Sequence, residues 1–177
     1  MEIRQEQLMM AMPKAQERAE TYLPYLNQYA QEFEINTPLR WAHYLAQIAH
    51  ESCELKYTKE LASGKAYEGR TDLGNTKKGD GVKYKGRGLI QITGRANYAK
   101  YKKYCGYDVV GHPELLEKPL GAVRSSMWYW QTHGLNELAD EDQFLAITKK
   151  INGGTNGLES RKNYLSLAKR ALNISSV

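Results

Sequence analysis

Apolar residues recur at steps of three and four along most of this chain, and that spacing constrains its fold more than any other feature. One stretch carries them at Ala19, Leu23, Leu26, Ala30 and Phe33. This period places the apolar side chains along one face of an α-helix. The pattern therefore predicts an amphipathic helix here, and similar patterns predict further helices along the sequence.

A second helix has a clear beginning in the stretch "NTPLRWAHYLAQIAHES". Thr37 is a good N-cap, and Pro38 fits the first helical position because its missing N–H is not needed there. Later helices are predicted in "RANYAKYKKY", from Pro119 onward, in "FLAITKKI" and in "LESRKNYLSLAKRAL". Residues 63–88 are rich in glycine and are predicted to form loops.

The segment "YKGRGLIQITGRANY" contains a short alternation typical of a β-strand. Ile90 and Ile92 would face one side, and Leu89, Gln91 and Thr93 the other. An amide and a hydroxyl on an open face suit the binding of a ligand or a water molecule. The sequence thus predicts a mainly α fold, one compact helical domain over residues 1–177, with a small sheet-and-loop insertion.

Length and composition are those of an ordinary globular domain of 177 residues. No apolar run is long enough to span a bilayer, so we expect no stable membrane insertion. The first twenty residues lack the basic start and apolar core of a secretion signal, which predicts synthesis and folding in a cytoplasm. Cys53 and Cys105 are predicted to be free thiols, with a disulfide between them as the alternative.

Positive charge is concentrated in one segment of the chain. The net charge is +5, and residues 77–103 contain nine basic residues against Asp80 alone. Such a segment suits an anionic polymer, either nucleic acid or an acidic cell-wall glycan, although a solvated surface explains the charge equally well. A nucleic-acid binder would need a recognition helix or an aromatic platform for single strands, and neither is recognisable.

Glu51 and Glu60 are the candidate catalytic pair. On one continuous helix the nine residues between them would turn about 900° and rise ~13.5 Å, placing the side chains on opposite faces. They can serve one site only if the helix ends between them. Partial burial and the negative end of the helix dipole favour a protonated Glu51, whereas Glu60 beside Lys59 should stay ionised. Two carboxyl groups in contrasting environments are typical of glycoside hydrolysis.

Other site chemistries fit the sequence less well. "HESCE" begins like a zinc-protease helix but has Glu54 where the second histidine is needed. "GDGVKYKGRG" lacks the spacing of a phosphate-binding loop. We therefore expect no metal and no cofactor. A glycan-binding module without turnover remains an alternative, although the presence of both glutamates favours an enzyme.

Four blocks together resemble glycoside hydrolase family 19, and look most like the small bacteriophage endolysins of that family. They are "AHES" with a glutamate nine residues later, "AYEGRTDLGNT", "GDGVKYKGRGLIQITGRANY" and "ITKKINGGTNGLESR". The resemblance implies a lysozyme-like α+β fold and an inverting mechanism on a β-1,4-linked amino-sugar polymer. It matches Glu51 to the general acid and Glu60 to the general base.

The resemblance also implies roles for five further residues. Gln91 and Asn97 match substrate-binding residues, and Thr93 matches the hydroxyl that helps to position the attacking water. Asn152 and Arg161 match residues of the opposite wall, with the arginine steadying the base.

The function predicted in this way is that of a monomeric endolysin that cuts the glycan strands of peptidoglycan as a lysozyme does. It would be made in the cytoplasm of a host bacterium, pass through a holin-type pore and act on the cell wall in the periplasm. Neither nucleic acid nor a cofactor is an expected partner. The alternative is a chitinase acting on N-acetylglucosamine polymers.

Overall fold

The computed structural model of the protein describes residues 1–175, and its regular structure is helical. Within these residues the α-helices are α1 Gln5–Ala11, α2 Glu17–Glu32, α3 Pro38–Glu51, α4 Asp80–Lys83, α5 Arg95–Cys105, α6 Pro119–Thr132, α7 Leu135–Asp140, α8 Phe144–Asn152 and α9 Leu158–Ala171. Short 3-10 helices span Lys65–Tyr67, Thr71–Leu73 and Pro113–Glu117. The predicted mainly α fold class is confirmed.

The chain groups into two compact units. The first contains Met1–Lys56 and the chain from Met127 onward, and the second contains Tyr57–Ser126. The prediction of one catalytic domain over residues 1–177 stays a prediction. No helix within residues 1–175 is both long and apolar enough to cross a membrane. Cys53 and Cys105 are both free thiols.

Helix α3 is the centre of the first unit. It begins as predicted, because the Thr37 hydroxyl accepts the Arg40 N–H at 3.2 Å and Pro38 follows the cap. Every residue from Trp41 to Ala49 is buried, so the helix is covered on all sides. It packs against α9 and α7, and α1 packs against α9 and α2. This burial fixes the end of α3, where Glu51 lies.

A buried amide joins three segments of the first unit. Asn136 on α7 accepts the Trp130 indole N–H at 3.0 Å and donates to the Phe33 carbonyl at 2.9 Å. All three residues are almost completely buried. Buried polar groups need hydrogen-bond partners within the protein, and the Asn136 amide provides one for the indole N–H and one for the carbonyl.

The second unit is organised around tyrosines and a buried arginine. The rings of Tyr84 and Tyr98 pack at 5.2 Å between centroids. The Arg87 guanidinium donates to the Glu117 carboxylate at 2.9 Å, to the Lys83 carbonyl at 2.7 Å and to the Tyr98 hydroxyl at 3.0 Å. Burial raises the pKa of Tyr98, which keeps its hydroxyl protonated.

The predicted strand over residues 89–93 is wrong, and no β-strand of a sheet lies within residues 1–175. Arg87 and Ile92 exchange both backbone hydrogen bonds, at 3.1 and 2.8 Å, and close the residues between them into a tight turn. Leu89 and Ile90 are both buried, whereas a strand with one open face would bury only one of two successive residues. The small sheet is thus reduced to isolated bridges of Arg87 with Lys59 and Ile92.

We expect Asn136→Ala to lower the free energy of unfolding by about 2–4 kcal/mol, because it leaves a buried N–H and a buried carbonyl without partners. Urea denaturation measures the loss. Asn163→Ala, on the exposed side of α9, is the matched control and should stay within about 0.5 kcal/mol of the wild type. Equal effects of the two substitutions would contradict the role given to the Asn136 amide.

Candidate active site

Glu51 is the last residue of α3, so the helix ends between the two glutamates as predicted. Ser52 holds this end: its hydroxyl donates to the Ile48 carbonyl at 2.6 Å and accepts the Leu55 N–H at 2.8 Å. The next three residues, Cys53 to Leu55, all have positive φ angles, of 50°, 58° and 70°. Left-handed backbone at three successive non-glycine residues turns the chain sharply away from the helix axis.

The Glu51 carboxylate forms an ion pair with Arg161 of α9, at 2.6 Å. The Glu51 side chain is 24% exposed and that of Arg161 only 2%. This finding corrects the expectation that Arg161 steadies the base Glu60, because its carboxylate partner is the predicted acid.

Two other nitrogens of the Arg161 guanidinium donate to neutral oxygens. One terminal nitrogen donates to the Gln47 side-chain oxygen at 2.7 Å, and Nε donates to the Asn156 carbonyl at 3.1 Å. The amide nitrogen of Gln47 in turn donates to the Thr148 hydroxyl of α8 at 3.1 Å. The guanidinium is therefore fixed from α3, α8 and the residues before α9, independently of Glu51.

Sequence reasoning missed Gln47, although a clue was present. Gln47 lies one helical turn before Glu51 and is fully buried, on a helix whose other buried side chains are mostly apolar. A buried amide in such a position needs polar partners, and here they are Arg161 and Thr148.

His50 and Tyr129 complete the surroundings of Glu51. Burial, and then the charge of Arg161, lower the pKa of His50, whose Nδ1 lies 2.9 Å from the Ser160 hydroxyl. Burial, and then the charge of Glu51, raise the pKa of Tyr129. Both rings are thus neutral near neutral pH. Asn152 is half-buried and ends α8.

Glu60 lies in the second unit, and neutral donors hold its carboxylate. Oε1 accepts the Gly86 N–H at 2.6 Å, and Oε2 accepts the Tyr67 hydroxyl at 3.0 Å. The Glu60 N–H donates back to the Gly86 carbonyl at 2.9 Å. Burial, and then the hydrogen bond to Glu60, raise the pKa of Tyr67, so this donor keeps its proton. Tyr67 is a second residue that sequence reasoning missed.

The residues predicted to bind substrate and water surround the turn after Gly86. A side chain at position 86 would clash with Gln91, because a Cβ there would lie 2.5 Å from the Gln91 side-chain oxygen. Gln91 is exposed and Thr93 half-buried. The Asn97 amide donates to the Thr93 carbonyl at 2.8 Å. The turn therefore gathers Gln91, Thr93 and Asn97 in the same unit as Glu60.

The chitinase class I domain of glycoside hydrolase family 19 matches residues 40–156. A glycosyl hydrolase family 19 domain-containing protein of Haemophilus influenzae is 43% identical over 103 residues, which are 58% of this chain and 49% of that protein. An endochitinase of Arabidopsis thaliana is 39% identical over 131 residues, which are 70% of this chain and 44% of the endochitinase. The chain thus spans about half the length of these relatives.

Two solved structures share the fold. Chitinase C from Streptomyces griseus superposes with a TM-score of 0.78 at 23% identity, over 98% of this chain and 77% of that one. A bacterial family 19 chitinase superposes with a TM-score of 0.80 at 20% identity, over 98% of this chain and 96% of that one.

The domain match takes in 117 of the 177 residues and includes both glutamates, Gln91, Thr93, Asn97 and Asn152. Arg161 lies five residues beyond it and reaches Glu51 through the ion pair described above. By its sequence, and in agreement with its fold, this chain belongs to glycoside hydrolase family 19.

Proposed function

We propose that the chain hydrolyses β-1,4 glycosidic bonds of peptidoglycan with inversion, using Glu51 as general acid and Glu60 as general base. The observation that carries this proposal is that defined partners hold both carboxylates in place. Glu51 is held at a helix end by one buried cation, and Glu60 is held by two neutral donors. Each side chain is thus fixed by its own partners, as acid–base catalysis requires.

In the proposed reaction Glu51 gives its proton to the leaving glycosidic oxygen as the bond to the anomeric carbon breaks. Before the transfer Glu51 carries its proton and is neutral, so other groups must hold Arg161 in place. The hydrogen bonds of Arg161 to Gln47 and Asn156 do this. A general acid must carry its proton to act, so activity should fall at high pH.

Glu60 takes the second role. It accepts a proton from a water molecule whose oxygen attacks the anomeric carbon from the opposite face of the sugar. The protons are then redistributed through solvent, so acid and base return to their starting states. Gln91 and Asn97 are proposed to bind the sugar, Thr93 to orient the water and Asn152 to bind substrate near the acid. The two carboxyl groups must lie roughly 6.5–9.5 Å apart in the active enzyme.

Charge favours peptidoglycan over chitin as the substrate. Peptidoglycan carries lactyl and peptide carboxylates, whereas chitin is neutral. Within the basic segment, Arg87 is buried beside Glu117 and Arg95 is paired with Asp80. Lys102 is likewise paired with Asp108, at 3.0 Å. The charge available to a substrate therefore comes from exposed lysines at positions 77, 78, 83, 100 and 103.

Chitin is the second candidate substrate, because relatives such as the Arabidopsis thaliana protein are named endochitinases. An endolysin role, with synthesis in a host cytoplasm and access to the wall through a holin-type pore, belongs to the peptidoglycan proposal. A monomer without a cofactor is part of the same proposal.

Gln47→Glu should move the basic limb of the pH–kcat/KM profile to higher pH. A second carboxylate on Arg161 weakens the hold of the cation on ionised Glu51 and adds a like charge nearby, so the Glu51 proton is harder to lose. Gln143→Glu makes the same change at an exposed position of the first unit and should leave the limb in place. An unchanged pH–kcat/KM profile for correctly folded Gln47→Glu would contradict the proposed role of Glu51 as the general acid.

The substrate choice is tested by turbidity of outer-membrane-permeabilised Gram-negative cells and by release of chitobiose from colloidal chitin. We expect rapid lysis that weakens with added salt as charges are screened. Mass spectrometry of products from purified peptidoglycan should identify cleaved glycan strands. Glu51→Gln, whose amide still accepts a hydrogen bond from Arg161, should lose about 10²–10⁴-fold in rate. Efficient chitobiose release without cell lysis would identify chitin, and not peptidoglycan, as the substrate.

A further inference from the structure

A recess of about 570 Å³ opens beside the end of α3 in the first unit. Its walls include Lys14, Arg18, His50, Cys53, Glu54, Lys56, Ser160 and Tyr164. His50 directly precedes Glu51, and Ser160 directly precedes Arg161. The recess therefore lies in the same unit as the Glu51–Arg161 pair and one residue along the chain from each partner. Its volume lies within the range of small-ligand sites.

The walls of the recess are held together by Glu54, which is only 5% exposed. One oxygen of its carboxylate accepts the Lys14 N–H at 2.8 Å, and the other accepts the Tyr164 hydroxyl at 2.9 Å. Burial, and then this hydrogen bond, raise the pKa of Tyr164 to about 12, so the donor stays protonated. Glu54 is thus engaged with the wall, and its single negative charge is outnumbered by the cationic side chains of Lys14, Arg18 and Lys56.

Arg18 closes the same wall from another side. Its guanidinium donates to the Glu54 carbonyl at 3.2 Å and to the Lys14 carbonyl at 3.1 Å. These bonds join the segment before α2 to the left-handed turn after Glu51. The recess is therefore a cross-linked part of the first unit.

The rim of the recess is cationic. Lys14 and Lys56 are exposed and Arg18 is half-exposed, whereas the one carboxylate among the lining residues is buried. Burial and Arg161 lower the pKa of His50, so the imidazole adds no charge near neutral pH. A neutral sugar gains little from such a rim, but a carboxylate can form charge-assisted hydrogen bonds with it.

From these contacts we infer that the recess binds the carboxylate-bearing peptide branch of peptidoglycan, next to the sugar at Glu51. The inference rests on the proposed function and adds a specificity site to it. Lys14 and Lys56 are its charged contacts, and Arg18, Glu54 and Tyr164 keep its shape. Substrate that carries peptides should therefore be preferred to the same glycan without them.

The test compares two soluble substrates at fixed ionic strength: peptidoglycan strands that carry their peptides, and strands from which an amidase has removed them. The readout is the ratio of the two kcat/KM values. We expect the wild type to favour the peptide-bearing strands by about three- to tenfold, and Lys14→Gln/Lys56→Gln to lose most of this preference, since each exposed charge contributes modestly.

Two controls separate local charge from general effects. Lys14→Arg/Lys56→Arg keeps both charges and should keep the preference. Lys149→Gln removes an exposed lysine of α8 that does not line the recess, and it should keep the preference as well. Thermal unfolding should confirm that all variants are folded.

Three results would overturn the inference while leaving the proposed function intact: a wild type without preference, a glutamine double variant that keeps it, or an equal loss in Lys149→Gln. Cleavage of chitin with no cleavage of either kind of peptidoglycan strand would instead overturn the proposed function, and the inference with it.

Discussion

The buried guanidinium of Arg161 is the constraint on which the first unit depends. Its charge lies in the protein interior and needs a carboxylate and further acceptors, which Glu51, Gln47 and Asn156 provide. Removing one partner of a buried ion pair typically costs about 3–5 kcal/mol. The same contacts that stabilise the packing of α3 against α9 therefore fix the orientation of the predicted catalytic acid.

The turn after Glu51 connects this constraint to the proposed specificity of the enzyme. Left-handed backbone at Cys53, Glu54 and Leu55 is costly, and it persists because Ser52, Glu54 and Arg18 hold the segment on several sides. Glu51 and Glu54, three residues apart, consequently serve separate partners. Glu51 pairs with Arg161, and Glu54 holds the wall of a cationic recess.

Much of the helical fold could be predicted from the sequence, because helix periodicity and caps are local properties. Thr37 and Pro38 predicted the start of α3, and the need to bring the glutamates into one site predicted its end. The strand over residues 89–93 failed because alternation cannot distinguish a strand from a tight turn whose residues are buried by tertiary packing. An amide among apolar residues was a clue to Gln47 but did not identify Arg161 as its partner, and nothing in the sequence pointed to Tyr67, because these contacts form only in the folded chain.

The anomeric configuration of the first product depends most directly on the roles proposed for Glu51 and Glu60. If Glu60 activates a water on the face opposite the bond protonated by Glu51, the first product must have the inverted, α-anomeric configuration. Proton NMR during the first turnovers on a soluble β-1,4-linked substrate distinguishes the anomers before they equilibrate. The account predicts the α-anomer as the initial product, and a β-anomer formed first would contradict it.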